Sequence, residues 1–394
     1  MKVLFITSSG APDGMYGGSV ALYNLILGLQ KKIECVFVFP ESGYLEQSLK
    51  KLNYKCYVIP KYGLNWYPAH KTFRQVIEFI PRILRMVYKR NRALKNISKI
   101  IEMERPDIIH TNVGPLDLGH VLALKYKIPH VWHIREYQDL DFGAVPFPSM
   151  KSFRKKIKKS NNHLLSITKD VFKYFQMSPE KDEVIYDGVF PIKECYETGI
   201  KRNYFLFVGS LKAAKGIDHL LEAYAAYLEQ NGKIPLKVVG AGGTKLFFEK
   251  LAKICRERHL GTMVEFCGFR NDVYDLMRNA KALVVPSRFE GFGFIVAEAM
   301  YNGCLVIGHN TGGIKEQFDN GVAYTGAEIG LRYDTTELLV TYLHNIEKNE
   351  KYYDDVIKRA FKTANDLYNL ERSASDVLSF FQSCIKKFNS ETLS

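Results

Sequence analysis

What most constrains this chain is a rhythm that plays twice. Short runs of β-branched and aromatic residues recur at 2–8, 35–39, 55–59, 107–111, 130–134, 163–167 and 183–186, with the length and composition of buried strands. Between them lie segments with helical spacing of apolar residues, such as Val20 to Leu29 and Ile97 to Met103. Strands alternating with helices build a parallel sheet, because parallel neighbours need crossover connections. The rhythm pauses over Gly188 to Gly199, which carries Pro191 and several charges, and restarts at Tyr204-Phe205-Leu206-Phe207-Val208-Gly209. A second series of strands follows at 204–208, 235–239, 263–267, 282–285 and 304–307, and the stretch 335–388 is dominated by helical patterns. The expectation is an α/β chain of two Rossmann-like domains, 1–192 and 200–374, with the C-terminal helix (about 375–394) joining the first. Open α/β sheets bind ligands at the carboxyl ends of their strands, so the two parallel sheets are expected to face a central cleft.

Composition narrows the classes. A chain of 394 residues that is 46% hydrophobic and 25% charged, without low-complexity tracts, has material for two cores and no signature of disorder. Met1 to Ser9 holds a short apolar run that reads as a first strand and not as a secretory leader. No apolar stretch approaches the roughly 20 residues of a membrane span. The seven cysteines contain no C-x-x-C pair, and several sit in apolar runs such as Cys304-Leu305-Val306-Ile307. Such thiols are expected to be free and buried in a reducing compartment, which points to the cytoplasm. A formal net charge of +13 suits a polyanionic partner, with anionic lipid, phosphorylated substrates and nucleic acid as candidates.

The segment Val285-Pro286-Ser287-Arg288-Phe289-Glu290-Gly291-Phe292-Gly293-Phe294-Ile295-Val296-Ala297-Glu298-Ala299-Met300 reads as strand, glycine-rich turn and helix. Gly291 and Gly293 permit close backbone approach, and a helix opening near Phe294 points free N–H groups at an anion. Glu290 before the turn and Glu298 in the second helical turn place carboxylates around such a ligand, suited to sugar and ribose hydroxyls. Gly209-Ser210-Leu211-Lys212-Ala213-Ala214-Lys215-Gly216 ends another strand, and Lys215 there can neutralise a diphosphate. His133, in His130-Val131-Trp132-His133-Ile134-Arg135-Glu136, stands at a strand end where a neutral imidazole could position a hydroxyl; His110 is a second candidate. A complete G-x-G-x-x-G fingerprint is missing, which argues against a dehydrogenase.

Two glutamates separated by seven residues, as Glu290 and Glu298 are, together with Met300 to Gly303 and Gly312-Gly313, resemble glycosyltransferase family 4 of the GT-B fold. The resemblance covers most of the chain and is sharpest from 204 to 320. It implies two Rossmann-like domains and sugar transfer, with retention, from a nucleoside diphosphate sugar, uridine diphosphate being the expected carrier. Glu298 would then bind the ribose and Glu290 the donor sugar. The backbone of Phe292, Gly293, Phe294 and Ile295 would hold sugar and diphosphate. The family places a basic pair in the loop of Lys215; the arginine position is Ser210 here, and Lys212 is the nearby replacement. Gly17 and Gly18, in Gly14-Met15-Tyr16-Gly17-Gly18-Ser19, match the loop facing donor phosphates and acceptor. His133 matches the active-site histidine, Asp187 stands where asparagine is usual, and Gly268-Phe269-Arg270 matches the segment that meets the base.

Asp139-Leu140-Asp141 has the D-x-D form by which glycosyltransferases of another fold bind a metal. Here it reads as chance, since lysine and helix dipole neutralise the leaving group without a divalent ion. Neither metal nor other cofactor is expected. From Lys71 to Lys99 nine basic residues face one acid, interleaved with apolar residues, and Lys151 to Lys159 adds six more positive charges. These stretches could rest on an anionic membrane, at the inner face, with a saccharide or lipid-linked acceptor. Pro81 is expected to interrupt any continuous helix there. Nucleic acid is the weaker partner. A nucleotide-sugar-binding accessory subunit and a nucleotide-sugar epimerase are the alternative functions.

Overall fold

The computed structural model describes all residues except 13, 16, 61, 63–65, 69–72, 74–76, 115, 197–202, 350–352 and 394. Tyr16 of the glycine loop and most of 71–76 in the basic segment therefore lie outside the described residues. The chain forms two compact units, Met1–Gly188 with Leu370–Ser394, and Val189–Asn369.

The amino-terminal unit runs β1 (Lys2–Thr7), α1 (Gly18–Leu29), β2 (Glu34–Phe39), α2 (Tyr44–Lys51), β3 (Lys55–Val58), β4 (Trp66–Pro68), α3 (Phe79–Glu104) and β5 (Ile108–Asn112). It continues with α4 (Leu118–Tyr126), β6 (His130–Ile134), α5 (Asp139–Phe142), β7 (Ala144–Pro146), α6 (Met150–Ile157), β8 (Asn162–Ser166), α7 (Lys169–Tyr174) and β9 (Glu183–Val184). Seven strands form one parallel sheet in the order β3-β2-β1-β5-β6-β8-β9, while β4 and β7 make a separate antiparallel pair. Val3 to Ile6 are fully buried because both faces are covered. Val3 and Phe5 pack with Leu22 and Ile26 of α1, whereas Leu4 and Ile6 pack with Ile97 and Ile101 of α3.

The carboxyl-terminal unit repeats the plan with β10 (Phe205–Val208), α8 (Ile217–Glu229), β11 (Leu236–Val239), α9 (Lys245–Glu257), β12 (Val264–Gly268), α10 (Val273–Asn279) and β13 (Ala282–Val285). Then come α11 (Phe294–Tyr301), β14 (Val306–His309), α12 (Gly312–Thr325), β15 (Leu331–Tyr333), α13 (Thr336–Lys348) and α14 (Asp354–Leu367). The sheet order is β12-β11-β10-β13-β14-β15. The last helix, α15 (Leu370–Leu393), packs its Ala374, Val377, Phe380 and Phe381 into the core of the amino-terminal unit.

Two sequence expectations are corrected, and one strand was not foreseen. Pro81 does not interrupt a helix: α3 runs unbroken over 26 residues, because Pro81 falls in its first turn, where the lost N–H had no intrahelical acceptor. The run 304–307 is not all strand. Cys304 N–H donates to Ala299 O at 2.9 Å, closing the end of α11, and β14 begins at Val306. The unforeseen β15 is a three-residue edge strand in which only Tyr333 is buried.

Candidate active site

In the carboxyl-terminal sheet the strand order reverses between β10 and β13, the place where loops diverge and leave a crevice at the strands' carboxyl ends. The loops after these two strands carry Lys215 and Glu290. They are fastened together: Arg288 N–H donates to Ala214 O at 2.9 Å, and a Cβ on Gly216 would lie 1.9 Å from Pro286 O. Only glycine permits that approach, at a φ of +68°. Lys215 Nζ consequently reaches Glu290 Oε1 at 2.5 Å, and Ser287 Oγ donates to the same oxygen at 3.0 Å.

The glycine-rich turn is held from behind. Gly313 N–H donates to Glu290 O at 2.8 Å, and a Cβ on Gly313 would stand 2.4 Å from Phe292 O. The fully buried Gln317 of α12 donates to Phe292 O at 2.6 Å and to Gly293 O at 3.1 Å. Gly293, at a φ of 85°, caps α11, whose first-turn amides at Phe294 and Ile295 precede the helix's own acceptors. With the carbonyls turned towards Gln317, the turn presents N–H groups and a dipole end suited to an anion.

Glu298 is half-buried, and burial pushes its carboxyl up to about 7, opposed by the Tyr274 hydroxyl that donates to it at 3.4 Å. Glu290 and Glu298 thus flank the turn with different partners. Ser210 is half-buried at the end of β10, Lys212 is exposed, and the Lys212 N–H donates to Ser210 O at 2.8 Å. Arg270 is exposed and forked onto Asp272 at 2.8 and 2.6 Å.

In the amino-terminal unit, Gly17 (φ 46°) caps α1 and Gly18 opens it. A Cβ on Gly18 would lie 3.7 Å from Cδ of Arg135. Arg135 is buried at the end of β6, where its Nε donates to Asn112 Oδ1 at 2.8 Å and a terminal nitrogen donates to Asp187. Its other terminal nitrogen lies 3.3 Å from His133 Nδ1. A guanidinium has only donors to offer, so Nδ1 accepts and neutral His133 carries its proton on Nε2. That Nε2 is buried with no hydrogen-bond partner among the described residues. Burial first, then Arg135 and His110, hold His133 well below the ordinary histidine range. His110 is buried beside it, ring centres 5.4 Å apart.

The D-x-D carboxylates have local duties: Asp139 accepts from the Tyr174 hydroxyl, and Asp141 accepts from the Tyr137 amide at 2.8 Å. Sequence reasoning gave no role to Arg135, Gln317, Ser287 or Tyr274. Two of them left a trace. Arg135 follows His133 by two positions and so falls on the same side of an extended segment, and Gln317 is a polar residue on the inward face of α12.

Residues 193–363 match the family model of glycosyl transferases group 1. Over this stretch the chain is similar to that family. It is 31% identical over 167 residues to MJ1607, an uncharacterized glycosyltransferase of Methanocaldococcus jannaschii. That match covers 38% of this chain and 42% of the relative, so the chain spans less than half of that protein's length. It is 27% identical over 270 residues to the Escherichia coli UDP-Gal:alpha-D-GlcNAc-diphosphoundecaprenol alpha-1,3-galactosyltransferase, covering 61% of this chain and 69% of that one. The structure of Anabaena Alr3699/HepE in complex with UDP superposes with a TM-score of 0.76 at 17% identity, covering 97% of this chain and 100% of that one. The fold is the GT-B fold of two Rossmann-like domains. Lys215, Glu290, the turn and Glu298 all lie within the residues matched by the family model.

Proposed function

We propose that this protein is a retaining glycosyltransferase of family 4 that moves a sugar from a nucleoside diphosphate sugar to a hydroxyl acceptor, without a metal ion or other cofactor. The observation that carries the reading is the Lys215–Glu290 pair, held at the mouth of a glycine-rich turn whose carbonyls are tied back. Lys215 and the amides of Phe294 and Ile295 supply positive potential for a departing diphosphate, so catalysis rests on electrostatic stabilisation and positioning. Glu290 accepts from donor-sugar hydroxyls and Glu298 from ribose hydroxyls. His133 donates through Nε2 to a donor or acceptor oxygen, next to the acceptor-side Gly17 and Gly18.

Uridine diphosphate is the proposed carrier, since the names of the E. coli relative and the Anabaena complex both include it. A saccharide or lipid-linked acceptor, in assembly of a surface polysaccharide or glycoconjugate on the cytoplasmic side, follows from the lipid diphosphate in the relative's name. One observation favours the accessory-subunit reading: Ser210 stands where the family's arginine would be. Incubation with a panel of uridine, guanosine and adenosine diphosphate sugars, with EDTA and a membrane-lipid extract, decides the matter by mass spectrometry. Release of one nucleoside diphosphate with sugar on an extracted acceptor supports transfer. Nucleotide binding without turnover supports the accessory subunit, and an isomerised donor without acceptor an epimerase.

A further inference from the structure

The loop that carries Glu290 is gripped from two sides. Towards β10 it is fastened by the Arg288 amide on Ala214 O and by the close approach of Gly216 to Pro286. Towards β14 it is held by Gly313 N–H on Glu290 O and by His309, whose Nδ1 lies 3.1 Å from Ser287 O. A carbonyl oxygen only accepts, so this second contact requires a proton on Nδ1. The tautomer is the reverse of that of His133, whose Nδ1 faces a guanidinium. Ser287 is buried, and its Oγ donates to Glu290 Oε1, the oxygen that also accepts from Lys215. With both N–H and O–H groups on Oε1, no described residue bonds Oε2, which stays available to a ligand hydroxyl.

The imidazole is held in its pose from outside this loop. His309 ends β14, and its register partner on the edge strand β15 is Tyr333. The two rings lie 5.4 Å apart, and Tyr333 is fully buried in the core of the carboxyl-terminal unit. Such a cross-strand contact restricts the rotamers open to the histidine. Thr311 N–H donates to His309 O at 2.7 Å and fixes the backbone where the strand ends. The short β15 thus supplies the wall against which His309 rests.

We infer that His309 is a positioning residue for Glu290: Nδ1–H fixes the Ser287 carbonyl, Ser287 Oγ stays on Oε1, and Oε2 is kept for the donor sugar. This rests on the proposed function, in which Glu290 binds that sugar. A carboxylate orients a substrate well only where its own rotamer is locked by a supporting shell. A histidine that merely filled the end of β14 would require only its volume to be replaced. The contact with Ser287 O requires an N–H group attached directly to Cγ. Asparagine supplies one there, leucine has nearly the same shape without it, and glutamine carries its amide one bond further out.

The test uses the full chain at about pH 8.5, where an ordinary imidazole is neutral. Nitrogen NMR of the free protein should show His309 protonated on Nδ1. A proton on Nε2 instead overturns the inference, whatever the protein transfers. Single-turnover release of nucleoside diphosphate, from the donor that the panel identifies, should fall about fivefold to tenfold in His309→Leu, the scale of one hydrogen bond. His309→Asn should return close to the wild-type rate, and His309→Gln should not. UDP affinity, which draws on Glu298 and the turn amides, should be unchanged in all three variants. Equal rates throughout, equal loss in the leucine and asparagine variants, or a parallel loss of UDP affinity overturns the inference. If the wild-type protein breaks down no donor, the transfer reading fails on its own account. The same comparison is then made on the affinity for UDP-glucose relative to UDP, where the leucine variant should lose and the asparagine variant regain the sugar's contribution. Absence of that pattern overturns the role of His309 as well.

Discussion

Lys215 and Glu290 meet at 2.5 Å across the two loops that follow β10 and β13. The ammonium is thereby parked on a carboxylate of the same unit, which keeps its extended side chain in place until a stronger anion arrives. Under the proposed function a diphosphate competes for it. Lys215→Ala should lower donor breakdown by about 100-fold or more, as loss of one charge-stabilising donor does elsewhere. Lys215→Arg should recover part of it. Single-turnover release of nucleoside diphosphate measures both, and unchanged rates would refute the assignment.

Glu298 gives a pH dependence whose sign can be worked out. Its carboxyl is raised from an ordinary 4.5 to about 7, so between these values the folded chain holds a proton that the unfolded chain has released. Stability from this group is complete below the lower value and is lost as pH rises through the upper one. Glu298→Gln should flatten that part of the pH profile of the urea midpoint. Ribose hydroxyls donate to the ionised form, so UDP binding below about pH 7 should release protons. Calorimetry in buffers of different ionisation enthalpy detects this.

The Arg135–Asp187 pair is buried at both ends, and removing one partner strands a charge. Asp187→Ala should cost about 3–5 kcal/mol in denaturant unfolding. Nitrogen NMR of His133 should show a protonated Nε2 and an unprotonated Nδ1 that do not titrate near neutral pH. A proton on Nδ1 would contradict the orientation set by Arg135.

Gln317 acts on the turn it never leaves. Gln317→Leu would leave Phe292 O and Gly293 O without their donor, at about 1–3 kcal/mol of stability. Donor affinity should fall with it, measured by UDP titration of the folded variant. Full affinity would mean that the turn holds itself.

Much of the fold was legible because apolar runs record burial directly: β1, β2, β5, β6 and β13 lie within a residue or two of their sequence positions. The short β15 was not, since a three-residue edge strand has too few residues to show a period. Pro81 misled because its effect depends on where a helix begins. At the site, Glu290, Glu298 and Lys215 announced themselves through local glycine-rich turns. Arg135 and Asp187 are 52 positions apart in sequence, and Gln317 is 25 from Phe292. Such pairs exist only once strands and helices have been brought together, and no local pattern carries them.

The return of α15 has a consequence for biosynthesis. Gly28 of α1 lies so near α15 that a Cβ there would stand 2.6 Å from the Ala374 methyl. On the ribosome, residues 1–188 therefore emerge with Phe5, Phe37 and Leu25 lacking the cover that Val377, Phe380 and Phe381 later provide. The segment 189–369 is contiguous and can close on itself while synthesis continues. The half made first is the half finished last, and a chain released before residue 370 would leave its amino-terminal core open to chaperones and proteases.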